Sequence, residues 1–152
     1  MPRPQKYSWS LLSLILVVFL ASCGGFDRQW KAAASSATAA PSIEGRWEGI
    51  WKSSVTGHTG KLRCVVGSPA NSAGDQPFTY RATWGPVFRG SFATTHRVHR
   101  EKNAFSFTGE HKMPAWAGGV YSYDGQIGTD GFKATYRSSK DSGVFEMNRP
   151  KK

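Results

Sequence analysis

The sequence is short of cysteine and of acidic residues. Two cysteines among 152 residues provide no disulfide framework, so burial of apolar side chains must hold the fold together. Ten acidic residues against twenty Lys and Arg leave a formal charge of +10. The chain is too short for two independent cores and, at 13% aromatic residues, too aromatic for a disordered protein. We therefore expect one folded domain and exclude a multidomain enzyme.

Motifs that carry chemistry are also missing. The sequence has no GxSxG nucleophile elbow, phosphate-binding loop or dinucleotide fingerprint, and it lacks the CxxC and HExxH spacings of zinc sites. His96 and His99 are three residues apart, which on a strand places them on opposite faces. Cys64, between Leu62 and Val66, is expected to be a small buried side chain. We predict no enzymatic activity, no cofactor and no metal site.

Long apolar runs are absent as well. The longest stretch, residues 11–21, follows a basic head that contains Arg3 and Lys6. At about 1.5 Å per helical residue, this stretch covers roughly half of a ~30 Å hydrocarbon core, too little for a permanent transmembrane helix. A basic head with a short apolar segment is typical of a secretory signal. We expect residues 1–22 to be a signal peptide that is removed on export.

The signal ends at Leu20-Ala21-Ser22-Cys23, an aliphatic residue, two small residues and a cysteine. This stretch resembles the lipobox of bacterial lipoproteins. The resemblance implies that the Cys23 thiol carries diacylglycerol, that cleavage occurs before Cys23, and that the new amine is acylated in turn. Two or three acyl chains hold a protein on a bilayer durably. The alternative is ordinary secretion with cleavage at a nearby small residue.

The residue after the lipobox bears on location. In Gram-negative lipoproteins an Asp there favours retention in the inner membrane, and here the residue is Gly24. For a Gram-negative source, the resemblance implies an outer-membrane anchor with the protein facing the periplasm. Removal of residues 1–22 leaves 18 basic and 10 acidic side chains, a charge of +8. No nucleic-acid partner is expected for an exported protein, and the sequence identifies no protein partner.

The segment after the signal differs in composition from the rest. Residues 23–43 are mostly small and polar, without a periodic apolar face. They are expected to form the lipidated N-terminus and a flexible, extended tether, with a short helix as the alternative.

From Ile43 onward the hydrophobic pattern has a period of two. Inward candidates such as Phe78, Tyr80 and Ala82 alternate with polar or basic residues, and Gly-, Asn- and Asp-rich turns separate the runs. No segment of twelve or more residues has helical spacing. The pattern predicts an all-β domain over residues 44–149, followed by a basic tail at 150–152.

We expect about eight or nine short strands, with separate strands at residues 88–92 and 97–102. A small antiparallel barrel is favoured over a sandwich because closure removes exposed strand edges. Glycines inside strands, such as Gly49, Gly90 and Gly109, supply the bends that closure needs.

The first strand carries a second resemblance. Gly45-Arg46-Trp47 resembles the glycine-x-tryptophan that opens the barrel of the calycins, the lipocalins and avidins. The resemblance implies a basic partner for Trp47 near the last strand, a position that Arg149 holds. Some periplasmic lysozyme inhibitors are also lipoproteins with small barrels. That function is the least favoured alternative, because lysozymes are typically cationic, as is this chain.

The predicted function is a non-enzymatic binding or interaction module. A binder of small hydrophobic ligands would use the barrel interior, since ligand pockets are mostly apolar and aromatic. The candidate ligand-binding residues are Trp47, Trp51, Trp84, Trp116, Tyr121 and Tyr123. The alternative is that inward aromatic side chains simply fill the core. Trp116, in the apolar loop 112–119, either closes the barrel mouth or packs on the nearest strand.

An interaction module would instead use the basic exterior. The stretch from His96 to Lys102 has the densest positive charge. Arg97, Arg100 and Lys102 are predicted to contact an anionic lipid or envelope polymer, because basic side chains are attracted to anionic surfaces. The alternative is a solvated surface that keeps the domain soluble.

Acylation of Cys23 is testable by mass spectrometry of the mature N-terminus. We expect a chain that begins at Cys23 and carries the added mass of diacylglycerol and an acyl group. Cys23→Ser should release the protein from membranes, because the acyl chains supply the anchor. An unmodified chain that begins at another residue would contradict the lipobox.

Overall fold

The computed structural model describes residues 24–35, 42–128 and 131–151. The lipobox with Cys23 lies outside the described residues. Eight strands follow one another along the chain: β1 Gly45–Ser53, β2 Thr59–Val66, β3 Asp75–Trp84, β4 Phe88–Arg100, β5 Ala104–Lys112, β6 Val120–Gly128, β7 Gly131–Arg137 and β8 Ser142–Asn148. A 3-10 turn, Ala115–Ala117, lies between β5 and β6.

The strands form a closed barrel. Each strand pairs with the next in antiparallel fashion, and β8 returns to pair with β1. The prediction of a small antiparallel barrel is confirmed, and the sandwich alternative is wrong. We call the end that carries the β1–β2, β3–β4, β5–β6 and β7–β8 connections the open end. The opposite end, where β1 begins and β8 ends, is the closed end.

The described residues form eight strands rather than nine because β4 includes the strand expected at residues 88–92 and most of the one expected at residues 97–102. Between them, Thr94 and His96 point into the barrel and are buried. These polar inward residues interrupt the apolar alternation without interrupting the strand. The hydrophobic pattern therefore suggested a break that the backbone does not make.

Inward side chains fill most of the barrel. The largest fully buried ones are aromatic. The expected burial of Cys64 is confirmed, and its neighbours Leu62 and Val66 on β2 are buried as well. Two glycines make room for close approaches. A Cβ at Gly49 would lie 2.0 Å from the Glu146 carbonyl oxygen on β8, and a Cβ at Gly109 would lie 2.1 Å from Nδ1 of His96. A side chain at either position would collide with the closed wall or the core.

The closed end is sealed around Trp47. Its indole Nε1 donates a hydrogen bond to the Ile43 carbonyl at 2.9 Å, and its ring lies 5.9 Å from that of Phe132. The Arg149 guanidinium lies over the indole, 4.0 Å from the ring centroid. It also donates hydrogen bonds to the Glu44 and Ser42 carbonyls, at 2.7 and 3.0 Å. The contact between Trp47 and a basic residue after the last strand, which the calycin resemblance implies, is present.

Residues 24–35 lie in a helix, α1, so the expectation of an extended segment is wrong over those residues. Phe26, Trp30 and Ala33 share one face at spacings of four and three, and they are the least exposed side chains of this helix. The stripe consists of only three residues, and one of them is alanine. The composition of the segment therefore gave no sign of a buried helix face. No helix among the described residues is long and apolar enough to cross a bilayer.

Three arginines hold α1 against the outside of the barrel. Arg81 on β3 lies over the Phe26 ring at 4.4 Å and forms an ion pair with Asp27 at 2.5 Å. Arg46 and Arg63, on β1 and β2, lie over the Trp30 ring at 5.2 and 4.9 Å. The helix covers Arg81, which is 8% exposed, whereas the Arg63 side chain remains 48% exposed and also pairs with Glu48.

Replacement of Trp47 tests the sealed end. Its side chain is 3% exposed, so Trp47→Ala should lower the free energy of unfolding by about 3–5 kcal/mol. Urea titration followed by circular dichroism gives the value. Trp116→Ala is the matched control, because that indole is 80% exposed and its loss should change stability by less than about 0.5 kcal/mol. A loss below about 1 kcal/mol for Trp47→Ala would contradict its role in the core.

Candidate ligand site at the open end of the barrel

An aromatic cup opens at the open end of the barrel. Its volume is about 100 Å³, and it is lined by Trp51, Ala82, Trp84, Phe92, Met113, Tyr121, Tyr123, Tyr136, Asp141 and Phe145. Strands β1, β3, β4, β6, β7 and β8 each contribute inward residues close to this end. Trp51 and Trp84 meet at a centroid distance of 6.1 Å, and the Trp51 Nε1 donates to the Thr83 carbonyl at 2.9 Å. The hydrogen bond to the Thr83 carbonyl therefore fixes the Trp51 side of the cup.

One wall of the cup is held by Asp141. Its carboxylate accepts hydrogen bonds from Ser53 Oγ at 2.6 Å, from the Tyr136 hydroxyl at 2.9 Å and from the Ser142 amide at 2.9 Å. These bonds join β1, β7 and the β7–β8 connection. Burial, together with the bond to Asp141, raises the pKa of Tyr136 and keeps its phenol protonated. Asp141 is thus a structural acceptor in this wall.

Tyr123 is the polar group left to a ligand. No other described residue forms a hydrogen bond with its hydroxyl, and burial raises the pKa of the phenol. The hydroxyl therefore stays neutral and can donate or accept one bond. Tyr121, its neighbour in the cup, already donates to the Ala117 carbonyl at 3.0 Å.

Below the cup the barrel is filled. Tyr80 is fully buried there and stacks on Phe92 at 5.0 Å and on Tyr123 at 6.3 Å. Pockets for drug-sized ligands measure about 300–1,000 Å³, well above the volume of the cup. The cup therefore suits a single ring or a short alkyl group. A depression of about 370 Å³ on the outer wall is lined largely by outward polar residues such as Ser122 and Thr135, which makes it a poorer apolar site.

The structure brings together four of the six candidate ligand residues. Trp51, Trp84, Tyr121 and Tyr123 line the cup. Trp47 lies at the closed end, so it does not share their site. Trp116 neither closes the mouth nor packs on a strand, because the 3-10 turn ends at the left-handed Gly118 and leaves the indole 80% exposed.

The predicted anionic contact residues lie at the closed end of β4. Arg97 forms an ion pair with Asp75 at 2.6 Å, and hydrogen bonds from Asn71 and Arg97 lower the pKa of that carboxyl. Arg100 lies over the Phe105 ring at 6.0 Å, and Lys102 is exposed in the following turn. The three side chains share one end of the barrel, but part of their charge is already compensated by Asp75.

His96 does not belong to this charged run. It is fully buried, 3.1 Å from the Tyr80 hydroxyl through Nε2, and it contacts the rings of Phe78 and Tyr123 at 4.6 and 5.3 Å. Burial, reinforced by nearby His111, lowers its pKa to about 4. His96 is therefore neutral at pH 7. The sequence pattern counted it with exposed basic residues because its neighbours on β4 are charged.

Cys64 also stays inert. It is fully buried on β2, and burial raises the pKa of its thiol well above the ordinary value, so it remains protonated. A hydrogen bond with Tyr80 accompanies it. Among residues 24–35, 42–128 and 131–151, no group of three His, Cys, Asp or Glu side chains is arranged to hold a metal ion.

Several residues of this end were missed by sequence reasoning. Phe92, Phe145 and Asp141 line the cup, and Val87 and Phe88 beside its mouth are largely exposed. These residues lie near strand ends next to turns, and Phe88 and Phe92 are an even number of positions apart, so both face the barrel interior. These two features of the sequence could have pointed to this end. They become useful only once the strand order is known.

Comparison with protein-family models, with curated proteins and with solved structures found no match to this chain. The cup and the surface around it are therefore the features that bear on function.

The buried His96 predicts acid sensitivity. The unfolded chain binds a proton at its ordinary pKa of 6.5, whereas the folded barrel does so only near 4. Stability should therefore fall as the pH is lowered from about 6.5 to 4, by about 3 kcal/mol for the full shift. Urea unfolding at several pH values measures this slope.

His96→Gln is the informative variant, since glutamine can still bond to the Tyr80 hydroxyl but does not titrate. It should flatten the dependence between pH 6.5 and 5, where carboxylates contribute less. An equal slope in both proteins would show that His96 is not the group responsible.

Proposed function

We propose that this chain is a lipid-anchored, non-enzymatic binding protein of the bacterial cell envelope, whose aromatic cup holds a small apolar group. The observation that carries the proposal is the cup itself. Above an otherwise filled barrel, aromatic side chains from β1, β3, β4, β6, β7 and β8 surround a space of about 100 Å³ that opens to solvent.

The chemistry of the cup defines the ligand class. Trp51, Phe92 and Phe145 offer ring faces, and Tyr123 offers one neutral hydroxyl. An apolar cavity of about 150 Å³ is known to accept benzene in another protein. The expected ligand is a small aromatic or short alkyl group, either free or at the end of a larger molecule that remains outside the mouth. A single hydrogen-bonding atom on that group would meet Tyr123.

The remaining parts of the proposal come from the sequence. The Leu20-Ala21-Ser22-Cys23 lipobox supports acylation at Cys23, and Gly24 supports an outer-membrane anchor facing the periplasm in a Gram-negative cell. The Trp47 and Arg149 contact supports a calycin-like barrel. A lysozyme-inhibitor-like function is the weaker alternative, because a mature charge of +8 repels a cationic partner.

A cup-filling variant tests the binding function. Ala82 is buried and lines the cup, so Ala82→Leu should occupy the space that the ligand needs. The probes are toluene and indole, added to the chain from residue 24 onward, which contains every buried side chain of the described structure. We expect millimolar or tighter binding by the wild type, seen as shifts of the Tyr and Trp NMR signals. The variant should bind at least tenfold more weakly.

Ala93→Leu is the matched control, because Ala93 faces outward on the neighbouring strand β4 and is exposed. It should bind both probes as the wild type does. Tetramethylammonium serves as a further probe, since an aromatic cage that prefers a cation would bind it more tightly than toluene. Absence of shifts with every probe, or equal binding by Ala82→Leu, would refute the cup as a ligand site.

A further inference from the structure

The open end carries most of the exposed apolar surface. Seven large hydrophobic side chains are exposed among the described residues, and six of them lie at or beside the open-end connections. Trp116, Val87 and Phe88 are the most prominent, at 80%, 79% and 72% exposed. We call these six the apolar rim: Val55, Trp84, Val87, Phe88, Trp116 and Val120. The seventh, Ile50, lies on the barrel wall, where it pairs with Lys61 and Glu146.

Basic side chains surround the apolar rim. Five exposed cations lie on the adjoining strand ends and turns, and we call them the basic collar: Lys52, Arg89, Lys112, Arg137 and Lys140. Among the described residues, none of the three ion pairs includes a collar residue. The acid nearest the mouth, Asp141, is engaged by Ser53 and Tyr136. Lys140 Nζ donates a hydrogen bond to the Trp116 carbonyl oxygen at 3.1 Å, which does not neutralise its charge. The positive charge at this end is therefore available to an anionic partner.

This combination favours a bilayer as the partner. Clustered exposed apolar side chains mark interaction surfaces, and Trp and Phe side chains beside Lys and Arg are the composition that inserts at a membrane interface. The apolar tips come from three separate connections, so they form points around a mouth rather than a continuous groove for a helix or strand. Separate apolar side chains of this kind can insert into a lipid surface, because a fluid bilayer adapts to their positions.

The direction of α1 gives an independent argument. Phe26 contacts Arg81 on β3, whereas Trp30 contacts Arg63, the register partner of Arg81 on β2, and also Arg46 near the start of β1 at the closed end. At about 3.3 Å per strand residue, Arg81 lies roughly 10 Å from the end of β3. The helix therefore crosses β3, β2 and β1 obliquely. Its later residues Ala32 and Ala33 line a depression with Gly45 and Gly67 at the closed end, so its first turn lies on the side away from that end. Its first described residue, Gly24, follows Cys23 directly in the sequence.

We propose that the apolar rim and the basic collar dock the barrel, mouth first, on a phospholipid bilayer that carries anionic headgroups. The helix direction adds to this only if Cys23 is acylated, as proposed above, whereas the docking surface itself does not depend on acylation. In the docked orientation the aromatic cup faces the lipid phase. The apolar group that it holds would then come from the membrane rather than from bulk water.

The test uses the chain from residue 24 onward, so that no acyl anchor contributes. The probes are vesicles of phosphatidylglycerol and phosphatidylcholine in equal parts and vesicles of phosphatidylcholine alone, with binding measured by flotation. We expect binding to the mixed vesicles at 0.1 M salt and at least tenfold weaker binding to phosphatidylcholine. Binding should weaken at 1 M salt, where the Debye length falls from about 10 to about 3 Å.

Two pairs of variants locate the surface. Val87→Ser, Phe88→Ser and Trp116→Ser combined should weaken binding at least tenfold, whereas Ile50→Ser removes an exposed apolar residue from the wall and should leave it unchanged. Arg89→Glu, Lys112→Glu and Lys140→Glu combined should abolish binding. Arg97→Glu, Arg100→Glu and Lys102→Glu make the same charge change at the closed end and should have a much smaller effect. All exchanged side chains are exposed, and thermal melts verify folding.

Three results would overturn the docking proposal. The first is no preference of the wild type for anionic over neutral vesicles. The second is a greater loss from the closed-end charge reversal than from the collar reversal. The third is a concentration-dependent dimer that the rim variant abolishes while vesicles do not bind, since the apolar rim would then be a protein interface. Toluene binding to the cup is measured without vesicles, so failure of the docking is distinguishable from failure of the ligand site.

Discussion

The pairing of β8 with β1 is the constraint on which the rest of the structure depends. It joins Glu48 to Asn148 at one end of the pairing and Ser53 to Gly143 at the other, and it leaves the sheet without an exposed edge. Once the ring is closed, the inward parity of each strand decides which side chains share the interior. At Gly49 the backbones of β1 and β8 approach so closely that a Cβ atom would collide with the β8 backbone.

A closed ring of eight strands has a limited interior, and here aromatic residues use nearly all of it. Phe78, Phe107 and Phe132 meet at centroid distances of 5.2 to 6.3 Å, and Phe78 and Phe107 also contact the ring of the neutral His96. With the centre filled, binding is left to the two ends of the barrel and to the outer surface. At the closed end a depression of about 550 Å³ lies beside Trp47 and Arg149, whereas the cup at the open end is the space enclosed mainly by aromatic side chains.

Local sequence signals predicted the fold class well, because alternation and turn residues act over a few positions. They predicted the Trp47 and Arg149 contact only through a resemblance. Local sequence signals did not predict a residue's role where that role depends on residues far away in the sequence. His96 lies among cations along β4 yet faces the core, and Phe26 and Trp30 form an apolar stripe only because Arg46, Arg63 and Arg81 from three strands meet it. Four candidate aromatic residues converge in the cup because the strand order places their strand ends together.

The two ends of the barrel differ in exposed apolar surface, and the position of α1 makes this difference matter for a membrane anchor. An extended tether would let the barrel turn freely relative to an acyl anchor, whereas a helix fixed by Asp27, Phe26 and Trp30 ties the chain next to Cys23 to one side of the wall. The arginines that contact it lie on β1, β2 and β3. If Cys23 is acylated, as proposed above, these contacts restrict how the mouth is turned relative to the membrane, and the position of the apolar rim then bears on the proposed docking.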